Sequence, residues 1–491
     1  MYDVDYAIVG SGFGGAVAAL RLAEKGYSVI VLEQGRRISK ADMTRAAASP
    51  RHLLWLPSAG LKGFFAQEFF RHVNVIRGIG VGGGSLVYAA VLLTPRDAFF
   101  ADSNWSSLAD WKVELAPHYA VARHMLGVAR NPYWGSMDEL IRQTAERMGA
   151  GDSVGNVEQG IFFGTPGVES EDPFLAGQGP RRQGCTQCGN CITGCAEGAK
   201  NSLDKNYLYL AEKQGARIRA SRRVERLEPL AGGGFRLLSR CMDGGTTESL
   251  RARNVVLAAG VLGTVELLLR SRYEHGTLPA LSAQLGRRVR TNSEAIVAAV
   301  TDQAPPDLRV GTTISSHFYP AEGTHITNNR MPASYEFMKW YTGPLIDDAR
   351  PVWRALRTLV ALLMPPWLHL RQWFRRRWHE RVTVLTVMQQ HDSDLRLDLV
   401  RPWWAPWRRR LATGLSEGRR APSYLPLANQ AARALAEVSG GLPLNTLMES
   451  VGNVSVTAHI LGGCAIGADA ASGVVDARHR VFGYPRSEEH T

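Results

Sequence analysis

The chain has no long apolar run. Nowhere do about 18 consecutive apolar residues occur, the length a helix needs to cross a bilayer. The nearest stretch, residues 358–368, is shorter and carries Pro365-Pro366, so a spanning helix is not expected. Cysteine is scarce: six in 491 residues, four of them within positions 185–195. A secreted disulfide scaffold is thereby set aside. Internal repeats and low-complexity tracts are lacking, which excludes solenoids and disordered arrays. An apolar strand begins at Asp5, leaving no room for a signal peptide, so the expected location is cytoplasmic. At 45% hydrophobic residues and a mean hydropathy of −0.15, the chain reads as soluble, with enough length for two or more lobes.

What is present starts at once. Residues 5–9 form a short apolar strand that runs into Gly10-Ser11-Gly12-Phe13-Gly14-Gly15, and a helix is predicted from Ala16 to Lys25. A second strand, residues 28–32, ends on Glu33. Gly10 permits a tight turn, Gly12 lets backbone approach a pyrophosphate, and Gly15 lets helix and strand pack closely. The helix N-terminus then offers unpaired N–H groups to the phosphates. Glu33 lies 18 positions after Gly15, near the ~20 expected of an acid that accepts a ribose hydroxyl. With its strand, helix and acid in place, the triplet reads as a dinucleotide fingerprint rather than a bare glycine turn.

Charge is unevenly spread. Basic residues number 57 against 45 acidic, a net charge of +12. Residues 350–410 carry Arg350, Arg354, Arg357, Arg371, Arg375 to Arg377, Arg381 and Arg408 to Arg410. Eight of the twelve Trp fall between Trp340 and Trp407. No recognised nucleic-acid motif accompanies them, so nucleic acid is not an expected partner. Two readings remain open: a pocket lid or core segment with a solvated face, or a membrane interface with rings at headgroup depth and Arg beside lipid phosphate.

A second glycine cluster, Arg77-Gly78-Ile79-Gly80-Val81-Gly82-Gly83-Gly84-Ser85 through Tyr88, is too glycine-dense for a strand and reads as a loop that approaches a ligand. Together with the fingerprint it resembles the flavin-contacting segment of the glucose–methanol–choline (GMC) oxidoreductases, in their cholesterol-oxidase-like branch. Residues 219–227, 255–268, 285–294 and 384–392, and Ala458-His459-Ile460-Leu461-Gly462-Gly463-Cys464, are also similar to family segments, in the family's order. The resemblance implies an α/β fold: a doubly wound, Rossmann-like FAD domain with a second α+β lobe containing a mainly antiparallel sheet. The FAD domain is expected from 1–96, 206–291 and 451–485, and the substrate lobe from 97–205 and 292–450. Glycine clusters at 231–234 and 243–245 read as hairpin turns.

The resemblance also implies site residues. FAD contacts are expected from Gly10, Gly12, Phe13, Gly14, Gly15, Glu33, Gly83, Gly84, Ser85, Tyr88, Val224, Ala259 and Gly260. Tyr88 stands where related sterol oxidases have Asn. His459 is expected to orient the substrate hydroxyl and accept its proton while flavin N5 takes the hydride. A second catalytic residue and a flavin-contacting Asp follow later in the family. Here residues 486–491, Arg-Ser-Glu-Glu-His-Thr, match the translation of a common sequencing adapter and are expected to be a non-native tail on a truncated chain.

Cys185-x-x-Cys188-x-x-Cys191-x-x-x-Cys195 has the spacing of a bacterial ferredoxin run, with Ala196 for the usual proline. Three readings stand: a [4Fe-4S] or [3Fe-4S] cluster, with Cys241 or Cys464 as alternative fourth ligands; structural zinc; or reduced thiols packing a loop. Three functions follow. The first is FAD-dependent oxidation of a lipophilic alcohol, sterol-like or long-chain, with oxygen or an electron carrier as acceptor. The second is a cluster-containing dehydrogenase of a sugar or polar alcohol that feeds a membrane carrier. The third is an inactive, membrane-surface flavoprotein. Residues 350–410 are the expected site of any peripheral contact with the inner membrane surface. Glu294 is a weak candidate for an isomerase base.

Overall fold

The computed structural model describes residues 1–391, 393–416 and 420–484, and the backbone of 487–489. Expectations falling on Asp392, Pro485, Arg486, His490 and Thr491 lie outside the described residues.

Val4–Val9, Val29–Leu32 and the end of Thr247–Leu257 are the apolar strands of a parallel sheet, with Arg217–Arg219 at its edge. All four residues of Val29–Leu32 are buried, as expected of a strand covered on both faces. The order runs 217–219, 29–32, 4–9, 247–257, then antiparallel Phe235–Cys241 and Arg222–Pro229. Ser487–Glu489 pairs parallel to residues 255–257. The two hairpin turns occur as expected: Gly233, Gly234 and Gly245 take positive φ, which glycine adopts at little cost. Helix Phe13–Glu24 begins three residues before the Ala16 predicted from its apolar pattern. Helix Gly260–Tyr273 covers the opposite face, its buried Val261, Leu262, Val265, Leu268 and Leu269 packed into one core with the sheet.

The second sheet is wholly antiparallel. Its order is Thr342–Pro344, Leu442–Thr446, Glu294–Val300, Val382–Gln389, Thr324–Asn329, Ser316–Ala321 and Gly155–Asn156. Alternation sorts its side chains between two cores. Ala295, Val297, Ala299, Leu385 and Val387 face helices Ser136–Arg147 and Pro426–Ser439. Ala298, Val300, Val382, Val384 and Leu444 face Phe64, Phe65 and Leu86. The α/β fold with a mainly antiparallel second sheet is therefore as expected from the sequence.

A third, small sheet positions the site. Val73–Gly78 pairs antiparallel with Phe65–Phe69 and parallel with Ser455–Thr457. The strand leading into the second glycine loop thus lies beside the strand leading into His459. The expected loop is shorter than its glycines suggest, because Arg77 and Gly78 still belong to a strand.

The Trp-rich region is not core. Helices Pro351–Leu363 and Pro366–Trp373 have inverted faces. Their buried residues are Arg354, Thr358, His369 and Gln372, while Val352, Trp353, Leu359, Val360, Leu363, Met364 and Trp367 are exposed. Trp403, Trp404 and Trp407 are exposed as well; Trp378 is buried. Among the described residues no helix is long and apolar enough to cross a membrane.

Candidate active site and cofactor cradle

The fingerprint turn is shaped by contacts that leave no room for side chains. Gly10 has φ +99°, and a Cβ there would lie 2.3 Å from the Ala258 carbonyl oxygen; at Gly15 it would lie 2.1 Å from that of Gly10. At Gly12 the opposite holds, with no heavy atom within 4 Å of the Cβ position. The backbone there faces open space at the N-terminus of helix Phe13–Glu24, which has no side-chain cap and no acid in its first turn. Gly260 (φ +69°) is equally open at the start of a second uncapped helix without first-turn acids. Ala259 lies against Gly10. These features fit a pyrophosphate, which needs free N–H groups and close backbone approach.

The second glycine loop closes on the first. A Cβ on Gly83 would lie 2.7 Å from the Gly12 Cα, and one on Gly84 would meet only the Phe13 ring. Phe13 and Tyr88 pack edge to face at 5.7 Å. Ser11 joins the two loops: its hydroxyl donates to Glu33 Oε2 (2.7 Å) and accepts from the Gly82 N–H (3.1 Å). Glu33 also accepts from the Ser11 and Gly35 N–H groups, and burial holds its pKa above the ordinary value. Ser85 is satisfied by its own neighbours, donating to the Gly82 carbonyl and accepting from the Leu203 N–H. Val224 is buried on the strand beyond Glu33, whose carbonyl accepts from the Arg222 N–H.

His459 follows strand Ser455–Thr457, and its side chain is 59% exposed. The Thr457 hydroxyl donates to Asn292 Oδ1 (2.9 Å), which fixes that amide's orientation. Asn292 Nδ2 then donates to Glu294 Oε2 (2.9 Å) and lies 2.7 Å from His459 Nδ1. With an amide hydrogen on Nδ1, the neutral ring carries its proton on Nε2. Glu294 Oε2 is 3.4 Å from the same Nδ1. Desolvation disfavours the charged ring, but the Glu294 hydrogen bond and charge outweigh it, so the His459 pKa is raised.

Behind Glu294 lies Glu449, which is 1% exposed and accepts from the Ile296 N–H. Burial, reinforced by the Glu294 charge, pushes its pKa up to about 8. Near pH 4 folded and unfolded chains both hold this proton. As pH rises past the ordinary glutamate value only the unfolded chain releases it, so the group lowers stability progressively up to about pH 8. Glu449→Gln should therefore raise Tm above the parent near pH 8, by an amount worth up to a few kcal/mol, and match it near pH 4. Thermal melts across that range check this; a constant difference at every pH would refute it.

The cysteine run lines a separate cavity of about 340 Å³. Cys185, Cys188, Cys191 and Cys195 are all on its wall, with Lys200, Arg309 and Glu197; neither His459 nor the fingerprint glycines are. Burial pushes the Cys185 and Cys191 thiols up to about 12 and 11, with the neighbouring sulfurs adding to it. Cys241 and Cys464 are not on this wall, which corrects the expectation that either completes the set. None of the six cysteines is in a disulfide.

A family model described as FAD dependent oxidoreductase matches residues 5–378. A cholesterol oxidase of Acinetobacter baumannii is 39% identical to this chain, over 98% of it and 88% of the relative. One from Mycobacterium tuberculosis is 40% identical, over 98% and 85%.

The chain belongs to the GMC-type FAD-dependent oxidoreductases, in their cholesterol-oxidase-like branch.

This GMC oxidoreductase is an alcohol-oxidising flavoenzyme with FAD as its cofactor. A long-chain-alcohol oxidase of Arabidopsis thaliana is 30% identical over 45% of the chain and 26% of the relative. The crystal structure of pyridoxine 4-oxidase from Mesorbium loti shares the fold, with a TM-score of 0.64 at 16% identity, covering 99% of this chain and 93% of that one. Sequence reasoning missed Ser11, Thr457 and Glu449. Ser11 had a signal, its place inside the fingerprint; Glu449 had none, because its role depends on burial beside a residue 155 positions away.

Proposed function

We propose that this flavoenzyme oxidises the hydroxyl of a lipophilic alcohol, sterol-like or long-chain, with His459 as the residue that handles the hydroxyl proton. The observation that carries the substrate class is the inverted face of helices Pro351–Leu363 and Pro366–Trp373, which turns its apolar side chains outward and its Arg354 inward. Arg354 donates to the Glu449 carbonyl (3.1 Å), so this surface is anchored directly on the element that carries Glu449. An outward apolar face beside Arg350, Arg357 and Arg371 suits contact with an anionic lipid surface, where such alcohols reside. The names of the relatives, cholesterol oxidase and long-chain-alcohol oxidase, agree with that class.

Bound in the glycine cradle, FAD would accept a hydride at its N5. The uncapped helix ends at Gly12 and Gly260 would hold its pyrophosphate, and Glu33 would stand at the ribose. His459 then has two tasks. With Asn292 on Nδ1, its Nε2–H orients the substrate oxygen. In the other tautomer Nδ1–H turns to Glu294, and Nε2 is free to take the proton.

The test is anaerobic. Cholesterol, a long-chain alcohol and a sugar are each mixed with the flavin-loaded protein, and bleaching of the flavin band is followed. Fast bleaching by the first two supports the reading, and bleaching only by the sugar overturns it. Trp353→Glu with Leu363→Glu should lower co-sedimentation with anionic vesicles at least tenfold, on the transfer cost of two charged groups. Reduction by a dispersed alcohol should stay unchanged. A second reading, a dehydrogenase of a polar alcohol that delivers electrons to a carrier, is favoured by one observation: four cysteines face a single cavity.

A further inference from the structure

We propose that Cys185, Cys188, Cys191 and Cys195 bind an iron–sulfur cluster and that Lys200 is its buried charge partner. This deepens the second reading above and rests on it only for where electrons go.

All four cysteines line one cavity of about 340 Å³, against about 30 Å³ for a water molecule in the liquid. That is room for a multinuclear group. A single zinc would draw four sulfurs to about 2.3 Å from one point, hence to about 3.8 Å from each other. Among the described residues no three His, Cys, Asp or Glu side chains are placed to hold one ion.

Each sulfur is also supplied with a backbone donor. The Thr313 N–H donates to Cys191 Sγ and the Lys200 N–H to Cys195 Sγ, both at 3.5 Å. The Gln187 and Asn190 N–H groups do the same for Cys185 and Cys188. The loop achieves this by turning through left-handed conformations at Gln187, Gly189 and Gly194. Gln187 adopts φ +58° without being glycine, a conformation that non-glycine residues adopt infrequently and at an energetic cost. Donors aimed at sulfur stabilise ligating thiolates and tune a cluster's potential; neutral packing thiols need none of them.

Buried cations gather at the cavity and beside it, and the carboxylates that act on them, Asp204, Asp172 and Glu380, do so without direct contact. Lys200 is 1% exposed, and its ammonium donates to three neutral carbonyls, of Leu86 (2.9 Å), Tyr88 (3.0 Å) and Cys191 (2.7 Å). Arg182, 2% exposed, is held by the carbonyls of Gly198, Ala199 and Lys200 and by Asn201. Arg309 lines the wall, with its Nε buried and without a hydrogen-bond partner. Among the described residues none of the three pairs with a carboxylate within 4.0 Å, and Glu197 is the only carboxylate on the wall. Burying cations with no carboxylate in direct contact is costly. Thiolates with a net anionic cluster supply the counter-charge. Because Lys200 also holds the Leu86 and Tyr88 carbonyls, the cluster would sit one side-chain layer behind the flavin-facing glycine loop.

The experiment is purification of the full chain under anaerobic conditions from iron-replete cells, with iron, acid-labile sulfide and FAD measured on one sample. About three or four irons per chain with matching sulfide, and an EPR signal that changes on dithionite reduction, are expected. Cys191→Ala should lose the iron and keep the FAD, which shows that the fold survives. Lys200→Met should keep the iron and shift its midpoint potential negative, since removing a nearby cation disfavours the reduced, more negative form. Iron no higher than in Cys191→Ala, or zinc in its place, overturns the proposal. Flavin bleaching by alcohols is unaffected by that outcome, so the two readings fail separately.

Discussion

Replacing His459 by Ala is expected to lower kcat by about 10²- to 10⁴-fold while the flavin spectrum stays intact, the usual contribution of a positioned proton-transfer group. His459→Gln keeps a hydrogen-bond donor but no base, so it should recover part of the orienting role and none of the proton transfer. The pH profile separates these roles from a structural one. The ring must be neutral to accept a proton, so kcat/KM should fall as pH drops through the His459 pKa, which Glu294 holds above the ordinary histidine value. Glu294→Gln removes that charge and should move the limb to lower pH. Stopped-flow flavin reduction at several pH values measures both. Full activity in His459→Ala, or a limb that ignores Glu294→Gln, would remove His459 from the chemistry.

The second large effect concerns the cofactor. Gly15→Val is expected to yield folded protein with FAD affinity at least a hundredfold weaker. A Cβ at Gly15 lies 2.1 Å from the Gly10 carbonyl oxygen, a backbone atom that no rotamer change can move aside. Ordinary overpacking costs about 1–3 kcal/mol, and about 1.4 kcal/mol is a factor of ten in affinity. Here the relief must come from the fingerprint turn itself, which carries the pyrophosphate donors. Gly12→Ala is the control: nothing lies within 4 Å of its Cβ position, so any loss there reports the ligand rather than the fold. Flavin content after gel filtration, with far-UV CD for folding, checks the pair. Equal FAD retention in Gly15→Val and the parent would show that the turn is not the cofactor cradle.

Much of this site was legible from local pattern. Gly10, Gly12 and Gly15 could be read because each glycine answers a backbone demand set within a few residues. His459 was legible only through its Gly-Gly-Cys context, since an isolated histidine carries no such local signature. The cysteine spacing was legible as a ligand run, yet spacing alone left cluster, zinc and packed thiols open. Lys200 and Arg309 became meaningful only when folding set them around the same cavity as those sulfurs. Composition likewise left the Trp-rich helices as lid, core or interface. Their exposure settled that most of these rings are not core, because which face a helix buries depends on what it packs against.

By itself the sequence determined the doubly wound flavin sheet and its glycine turns, because strand periodicity, turn residues and helix starts are short-range consequences of φ/ψ limits and burial pattern. The tertiary structure alone decided what surrounds each chemical group. Parallel pairing of Ser455–Thr457 with Val73–Gly78 lays the strand that leads to His459 beside the strand that leads to the glycine loop. Burial beside Glu294 raises the Glu449 pKa, and the closing of the 185–200 loop puts four cysteines and a buried lysine on one wall. Charge, solvation and cavity shape arise from residues far apart in the chain, so no local pattern encodes them.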